Sequence, residues 1–238
     1  MVTTTALVTG ANKGLGRETV RRLAESGWDV FLAARDAARG TRAAAELAEA
    51  GLACRFVPLD VTSDESVAAA AGQVRAAVGR LDVLINNAGI GGPSTHPADT
   101  RVDEVREVFE TNVFGSIRVI HAFLPLLRTS VHPRIVMVSS GMGSIATLTD
   151  PRWQDLVPPA LGYPTTKAAL NMLTTRYAHA LSDIRVNAVD PGYTATELNG
   201  HNGFQSVTEG TDAIVRLASI GPDGPTGGFF DRNGVVPW

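Results

Sequence analysis

The sequence predicts an α/β fold: a doubly wound parallel sheet of about seven strands with helices on both faces. Two observations predict it. Short apolar runs alternate with longer amphipathic segments along the chain, which is typical of strand–helix–strand units. The runs are apolar throughout rather than at every second residue, as in strands buried on both faces. No Pro- or Ser-rich linker divides the 238 residues, so we expect a single domain over 1–238.

The seven strands are predicted from apolar runs that end at turn-forming residues. The first run is followed by a glycine-rich loop, a helix and a second run, which together form a strand–helix–strand unit. In chain order, the strands are expected at 5–9, 29–34, 54–59, 81–86, 134–139, 184–189 and 226–230.

The helices between these strands are predicted from helical periodicity and end signals. The first ends at Gly27, the second is closed by Gly51, and Asp64 and Glu65 suit the first turn of the third. Pro125 is expected to end or bend the long fourth helix. The helices after the first are expected at 41–50, 63–78, 100–128, 161–181 and 207–219.

Composition excludes several classes of function. A net charge of −3 gives no general attraction to nucleic acid or to an anionic membrane. No apolar run is long enough to span a bilayer, and the first residues lack the pattern of a signal peptide. The single cysteine, Cys54, excludes an intrachain disulfide and fits a cytoplasmic protein. No metal is expected, because His96 and His201 have no partners at metal-ligand spacing.

The glycine loop after the first strand predicts a dinucleotide site. Gly10, Gly14 and Gly16 permit a tight turn, let the backbone approach a pyrophosphate and expose helix N-terminal amides. The end of the second strand indicates which dinucleotide. Lys13 and Arg35 are placed to meet a 2′-phosphate, with Arg17 as a further cation, which favours NADPH. Asp36 follows Arg35 and leaves NADH use open.

A tyrosine and a lysine four residues apart, Tyr163 and Lys167, fall within one predicted helix. At that spacing both side chains project from one face, one turn apart. We expect the ammonium to favour the phenolate and so to lower the tyrosine pKa toward working pH. Tyr163 is therefore a candidate general acid or base.

Five motifs, in order and spanning nearly the whole chain, resemble those of the short-chain dehydrogenase/reductase family, whose fold is of the Rossmann type. They are Thr9-Gly10-Ala11-Asn12-Lys13-Gly14-Leu15-Gly16, Asn86-Asn87-Ala88-Gly89, Ser140, Tyr163-x-x-x-Lys167 and Pro191-Gly192. Asn12-Lys13 and Ala34-Arg35-Asp36 are similar to the NADPH-dependent carbonyl reductase branch. The resemblance implies an oxidoreductase that reduces a small-molecule ketone, aldehyde or quinone to an alcohol.

The resemblance also implies a role for each site residue. Tyr163 is the catalytic acid/base, Lys167 binds the nicotinamide ribose, Ser140 holds the substrate oxygen, and the backbone of Asn112 supports a water leading to the lysine. The implied cofactor contacts are Gly10, Asn12, Lys13, Gly14, Leu15, Gly16, Arg35, Asp60, Val61, Asn87, Ala88, Gly89, Tyr163, Lys167, Pro191, Gly192 and Thr196.

Two segments lie beside the expected site. One is longer than in the most compact family members, and the other is expected to be mobile. The stretch 144–160 is about ten residues longer, and Trp153, Leu156 and Val157 form either an apolar substrate wall or an ordinary surface loop. The stretch 193–206, which begins at Tyr193, is expected to form a lid. The insertion leaves both a monomer and a homo-oligomer open. An NAD-dependent alcohol dehydrogenase and a non-catalytic NADPH sensor remain as alternative functions.

Overall fold

The computed structural model describes residues 3–154, 157 and 159–238, without the side chains of residues 153 and 154. Within these residues seven strands form one sheet in the order β3-β2-β1-β4-β5-β6-β7, and every neighbouring pair is parallel. The predicted fold class is therefore confirmed. The strands are β1 Thr5–Val8, β2 Asp29–Ala34, β3 Cys54–Pro58, β4 Val83–Asn86, β5 Arg134–Val138, β6 Arg185–Val189 and β7 Phe229–Phe230.

Ten α-helical segments connect these strands within the described residues. The helices that cover the sheet are α1 Gly14–Glu25, α2 Ala37–Glu49, α3 Asp64–Val78, α5 Gly115–Leu127, α8 Gly162–Ala180 and α10 Asp212–Ala218. The others are α4 Val102–Phe109, α6 Ile145–Leu148, α7 Pro151–Gln154 and α9 Val207–Gly210.

The core has two layers, one on each face of the sheet. Because successive side chains of a strand point to opposite faces, Leu7 faces one layer while Ala6 and Val8 face the other. The first layer packs the sheet against α3, α5 and α8, and the second packs it against α1, α2 and α10. Burial on both faces accounts for the uninterrupted apolar runs in the sequence.

The strand order reverses between β1 and β4. From β1 the chain builds the sheet outward through β2 and β3, and then returns to place β4 on the other side of β1. Adjacent loops at the carboxyl ends of these two strands diverge there and leave a crevice, the usual place for a ligand in an open α/β sheet. The glycine loop follows β1 and Asn87 follows β4, so both border this crevice.

The structure corrects two predicted helix boundaries. Helix α2 begins at Ala37 rather than near residue 41, because Asp36 caps it by accepting a hydrogen bond from the Arg39 amide at 2.9 Å. The predicted helix 100–128 is interrupted, since Glu110–Phe114 form a π-helical turn between α4 and α5. Pro125 lies inside α5, which ends two residues later.

Two predicted elements near the C-terminus are shorter than expected. The single helix expected at 207–219 is divided at Thr211 into α9 and α10. The last strand contains Phe229 and Phe230 and not the whole of 226–230. Among the described helices none is long and apolar enough to cross a membrane, and the same residues contain no group of three or more His, Cys, Asp or Glu side chains that could hold a metal ion.

Two helical glycines give opposite predictions for one substitution. A Cβ on Gly115, at the start of α5, would lie 2.7 Å from Val61 Cγ2, whereas a Cβ on Gly72 in α3 would meet no atom within 4 Å. We expect Gly115→Ala to lower the free energy of unfolding by about 1–3 kcal/mol through overpacking. Gly72→Ala should raise it by about 0.4–1 kcal/mol by restricting the unfolded chain. Urea denaturation measures the free energy of unfolding of both variants. Changes of the same sign would contradict the close packing of α5 against Val61.

Candidate active site

The crevice is built from loops that approach one another at backbone distance. A Cβ on Gly10 would lie 2.8 Å from Ala88 Cα, and a Cβ on Gly16 would lie 2.6 Å from the Gly10 carbonyl oxygen. Gly10 and Gly14 also have φ angles of +63° and +52°, in the left-handed region that favours glycine. The sequence therefore needs glycine at these positions for both space and conformation.

Thr9 and Asn87 lock the two loops together. The buried hydroxyl of Thr9 accepts hydrogen bonds from the amides of Asn87 and Ala88, both at 3.0 Å. The Asn87 amide group donates in return to the carbonyl oxygens of Thr9 and Gly10, at 2.8 and 3.3 Å. Asn87 and Ala88 thus hold the glycine loop in place, a role that the sequence motif alone did not reveal.

The N-terminus of α1 is suited to a phosphate. Its N-cap residue, Lys13, makes no side-chain cap hydrogen bond, and the first turn holds no acidic residue. By contrast, Asp36 caps α2 and Ser63 caps α3. The first amides of a helix lack intrahelical partners and attract anions, so the α1 N-terminus, with its glycines, fits the pyrophosphate of a dinucleotide. Asn12, Leu15 and Gly16 lie in or beside this turn.

The end of β2 presents cations beside the glycine loop. The Ala11 amide donates to the Ala33 carbonyl oxygen at 2.9 Å, which brings the loop that carries Lys13 next to Arg35. Lys13 and Arg35 are exposed, and neither makes an ion pair within the described residues. Asp36 caps α2 with its carboxylate instead of extending into the crevice, and pairs with Arg39 at 3.4 Å. Arg39, which sequence reasoning missed, also lies at this edge, with its charge paired to that of Asp36.

Three other residues of the expected cofactor site make contacts within the protein. Arg17 pairs with Glu46 of α2 at 2.7 Å, so its charge is largely neutralised and does not add freely to the cationic edge. The Asp60 carboxylate accepts hydrogen bonds from the amide and hydroxyl of Thr62 at 3.0 and 2.7 Å. The Val61 side chain packs against Gly115.

The paired serines after β5 have different environments. Ser139 is buried, and its hydroxyl donates to Asn171 Oδ1 at 2.6 Å and lies 3.2 Å from the Lys167 carbonyl oxygen. The Ser140 hydroxyl accepts from the Met142 amide at 3.2 Å and shares a hydrogen bond with the Tyr163 phenol. The structure therefore brings Ser140 and Tyr163 together and gives Ser139 a structural role.

The structure corrects the expected effect of Lys167 on Tyr163. Burial raises the pKa of Tyr163 to about 12, the hydrogen bond from Ser140 opposes this rise, and the charge of Asp190 adds to it. Lys167 Nζ lies 5.3 Å from the centre of the Tyr163 ring but donates to the Val138 carbonyl oxygen at 2.8 Å. Burial lowers the pKa of Lys167 itself to about 8, partly opposed by Asp190. The phenol is thus held protonated, the form of a proton donor.

The π turn places Asn112 beside this pair. Asn112 is buried, its amide group donates to the Ile90 carbonyl oxygen and to Thr166 Oγ1, both at 3.0 Å, and its Oδ1 accepts from the Ile90 amide at 2.9 Å. Its own carbonyl oxygen accepts from the Ser116 hydroxyl at 2.8 Å. The side chain of Asn112 therefore joins the loop after β4 to the start of α8. Gly89 leaves the room for this contact, because a Cβ there would lie 3.2 Å from Asn112 Oδ1.

The segment 193–206 closes over the glycine loop from the other side. Its base is held by backbone hydrogen bonds from Ala195 to Gln205 and from Gln205 to Tyr193, at 2.9 and 3.2 Å. Thr196 is buried close to Gly14: a Cβ on that glycine would lie 3.6 Å from Thr196 Cγ2. Pro191 and Gly192 connect this segment to β6.

The expected substrate residues are only partly described. Leu156 lies outside the described residues, as does the side chain of Trp153, and Val157 is half-buried. Tyr193 is half-exposed, and its ring packs edge-on against Phe204 at 5.9 Å. The segment 144–160 begins with an anchor that the sequence did not predict. The Ser144 hydroxyl donates to the Pro237 carbonyl oxygen at 2.7 Å, and the Ala146 amide donates to that of Trp238 at 3.1 Å.

The Ser140–Tyr163–Lys167 group combines a buried lysine with two half-buried hydroxyl side chains. Together with the parallel sheet and the glycine-lined crevice, it defines a dinucleotide-dependent oxidoreductase. The chain matches the family model described as short chain dehydrogenase over residues 4–205. It belongs to that family.

Individual relatives support this assignment along their whole length. The chain is 33% identical to carbonyl reductase [NADPH] 1 of Homo sapiens, over 98% of each chain. It is 34% identical to (+)-neomenthol dehydrogenase of Arabidopsis thaliana, over 97% of this chain and 96% of that one. The solved structure of NADPH-bound carbonyl reductase from chicken fatty liver superposes over 100% of both chains, with a TM-score of 0.89 and 30% identity.

The two sequence relatives carry segments that this chain lacks. Their alignments span 274 and 285 positions, more than the 238 residues of this chain. The segment 144–160 is longer than in the most compact members of the family. The chain as a whole is nevertheless shorter than its alignments with these two relatives.

Thr9 provides a direct test of the contact between the loops. Thr9→Val removes the acceptor for two amides in a buried setting, and we expect the free energy of unfolding to fall by about 1–3 kcal/mol. Thr9→Ser keeps the hydroxyl oxygen and loses one methyl group, so its cost should stay near or below about 0.8 kcal/mol. Chemical denaturation of the two variants makes the comparison. Equal destabilisation would show that the hydroxyl does not hold the loops.

Proposed function

We propose that this protein is an NADPH-dependent carbonyl reductase that converts a ketone, aldehyde or quinone to an alcohol. The observation that carries the proposal is the Ser140–Tyr163–Lys167 group, with Lys167 buried and both hydroxyl side chains half-buried, at the edge of a crevice suited to a dinucleotide. We assign Ser140, Tyr163 and Lys167 as its catalytic residues, with Asn112 in support.

The chemistry follows from the properties of these side chains. NADPH, when bound, supplies the hydride that reduces the carbonyl carbon. Negative charge then grows on the carbonyl oxygen, and the hydroxyls of Ser140 and Tyr163 donate hydrogen bonds to it. Because burial keeps the Tyr163 phenol protonated, it transfers its proton to that oxygen. The Lys167 ammonium group would hold the nicotinamide ribose of a bound cofactor. Asn112 fixes the helix that carries both Tyr163 and Lys167 through its hydrogen bond to Thr166.

The preference for NADPH rests on the charge at the end of β2. Arg35 and Lys13 present exposed cationic groups there, which suit the 2′-phosphate that distinguishes NADPH from NADH. The carboxylate that would favour NADH, that of Asp36, is engaged by the first turn of α2. The NADPH-bound avian structure and the human enzyme named for NADPH are consistent with this choice.

The substrate we propose is uncharged and apolar. Tyr193, Leu198 and Phe204, all on the segment 193–206, leave apolar side chains exposed. This segment acts as a lid in our proposal, and 144–160 forms the opposite wall through Trp153, Leu156 and Val157. The plant relative is named for neomenthol, which is an uncharged, apolar alcohol. A single domain and a cytoplasmic location, in keeping with the one cysteine, complete the proposal.

One assay separates this function from its alternatives. NADPH and NADH consumption is followed with a panel of ketones, aldehydes and quinones, and NAD(P)⁺ reduction with the corresponding alcohols. Carbonyl reduction with NADPH supports the proposal. Preference for NADH would favour an alcohol dehydrogenase, and NADPH binding without turnover would favour a sensor.

Replacing the tyrosine hydroxyl tests the proton donor. We expect Tyr163→Phe to fold and to bind NADPH, as measured by nucleotide fluorescence, but to lose at least about 10²-fold in kcat. Tyr177→Phe is the matched control, because Tyr177 lies on the same helix and its hydroxyl contacts His121 at 3.3 Å, away from Ser140. Reduction at the wild-type rate by Tyr163→Phe would refute the assigned mechanism.

Removing one cation tests the cofactor preference. Arg35→Ala is expected to raise KM for NADPH by about ten- to a hundredfold, because a charge-assisted contact to the 2′-phosphate is lost. KM for NADH should change little. Arg42→Ala removes another exposed arginine, one that lies within α2, and serves as the control. A parallel change in both Michaelis constants for Arg35→Ala would show that Arg35 does not read the phosphate.

A further inference from the structure

Asp190 is a carboxylate at the centre of the site to which the mechanism above gives no role. It follows β6 directly, and its amide donates to the Phe230 carbonyl oxygen at 2.8 Å, which fixes its backbone at the edge of β7. Its side chain therefore emerges at the carboxyl end of the sheet, between the loops after β5 and β6.

The carboxylate makes contact with both of these loops. Its Oδ1 accepts from the Gly192 amide at 2.9 Å, and the Gly141 amide also donates to it. Gly141 lies so close that a Cβ there would be 2.8 Å from Asp190 Oδ2. One side chain thus joins the residue after Ser140 to the residue after Pro191.

The charged and titratable groups that face Asp190 come from two elements. Lys167 and Tyr163 face it from α8, and Asp231 faces it from the end of β7. Burial and the neighbouring Asp231 raise the pKa of Asp190, while the two amides and Lys167 favour its charged form. The negative charge in turn opposes the loss of the proton from both Lys167 and Tyr163.

We propose that Asp190 is a positioning residue of this active site: its carboxylate ties the loop that carries Ser140 to the loop that begins at Pro191, and it supplies the negative charge that faces Lys167. The proposal rests on the carbonyl reductase function for its kinetic consequences. The contacts of Asp190 with the two loops and its position facing Lys167 do not depend on whether the protein turns over a carbonyl.

The lysine content of the chain permits a direct test. Lys13 and Lys167 are the two lysines of the sequence, so a protein labelled with ¹³C at lysine Cε gives two assignable NMR signals. In the wild-type protein the Lys167 signal is expected to titrate near pH 8. In Asp190→Asn it should titrate at lower pH, because the facing negative charge is gone. The signal of the exposed Lys13 serves as an internal chemical-shift reference.

Kinetics test the tie between the loops. Asp190→Asn leaves one acceptor oxygen and turns the other into an NH2 group, so one of the two loop amides loses its partner. It should lower kcat up to about a hundredfold, the scale expected when reacting groups are misplaced by about an ångström. KM for NADPH should change much less. The alkaline limb of the kcat–pH profile should also move to lower pH, since Lys167 then loses its charge earlier.

Asp231→Asn is the matched control. It removes the same charge from the neighbouring strand end, and it keeps the Oδ1 atom that accepts from the Asn233 and Gly234 amides at 2.7 and 2.8 Å. We expect it to leave both the Lys167 titration and kcat near their wild-type values.

A folded Asp190→Asn protein in which either the Lys167 titration or kcat stays at the wild-type value overturns the proposal. If that variant does not fold, Gly141→Ala provides the test, because its Cβ displaces Oδ2 while the carboxylate is retained. Wild-type kcat in Gly141→Ala would then overturn it. If the wild-type protein reduces no carbonyl, the proposed function fails, and the NMR comparison still decides whether Asp190 faces Lys167.

Discussion

The close approach of the loops after β1 and β4 is the constraint on which the rest of the site depends. The backbones of Gly10 and Ala88 can meet at this distance only because Gly10 has no side chain, so Gly10 sets the separation of the two loops. The buried hydroxyl of Thr9 then holds the two loops at that separation. The groups to which we assign roles toward a dinucleotide or a carbonyl are arranged around this junction, and the order of the strands brings the junction about.

Much of the fold could be predicted because burial on both faces leaves a simple trace in the sequence. The apolar runs located all seven strands, and their alternation with helices gave the parallel sheet. The boundaries were harder to predict, since they depend on single contacts. Asp36 was weighed as a nucleotide ligand, while its carboxylate in fact starts a helix. Such a choice is made by local backbone geometry, which the residue type does not reveal.

In the site, the sequence predicted which residues meet and did less well on their electrostatics. Tyr163, Lys167 and Ser140 were located from spacing and resemblance. The direction of the tyrosine pKa was wrong, because helical spacing reports the neighbour and not the extent of burial. Asp190 gave no sequence signal at all, since its significance comes from two amides and an ammonium group that only the fold brings to it.

The π turn at Glu110–Phe114 has a consequence for how this protein can vary. It holds one more residue than the same length of α-helix, and Asn112 reaches both Ile90 and Thr166 from it. Deleting any one residue of the turn would restore regular helix and leave α4 and α5 in about their present orientation, but it would remove the bulge from which Asn112 reaches Ile90 and Thr166. The number of residues in this turn is therefore more tightly constrained than the type of most of them. A relative with one residue fewer here would have to hold the loop after β4 through contacts other than that of Asn112 with Ile90.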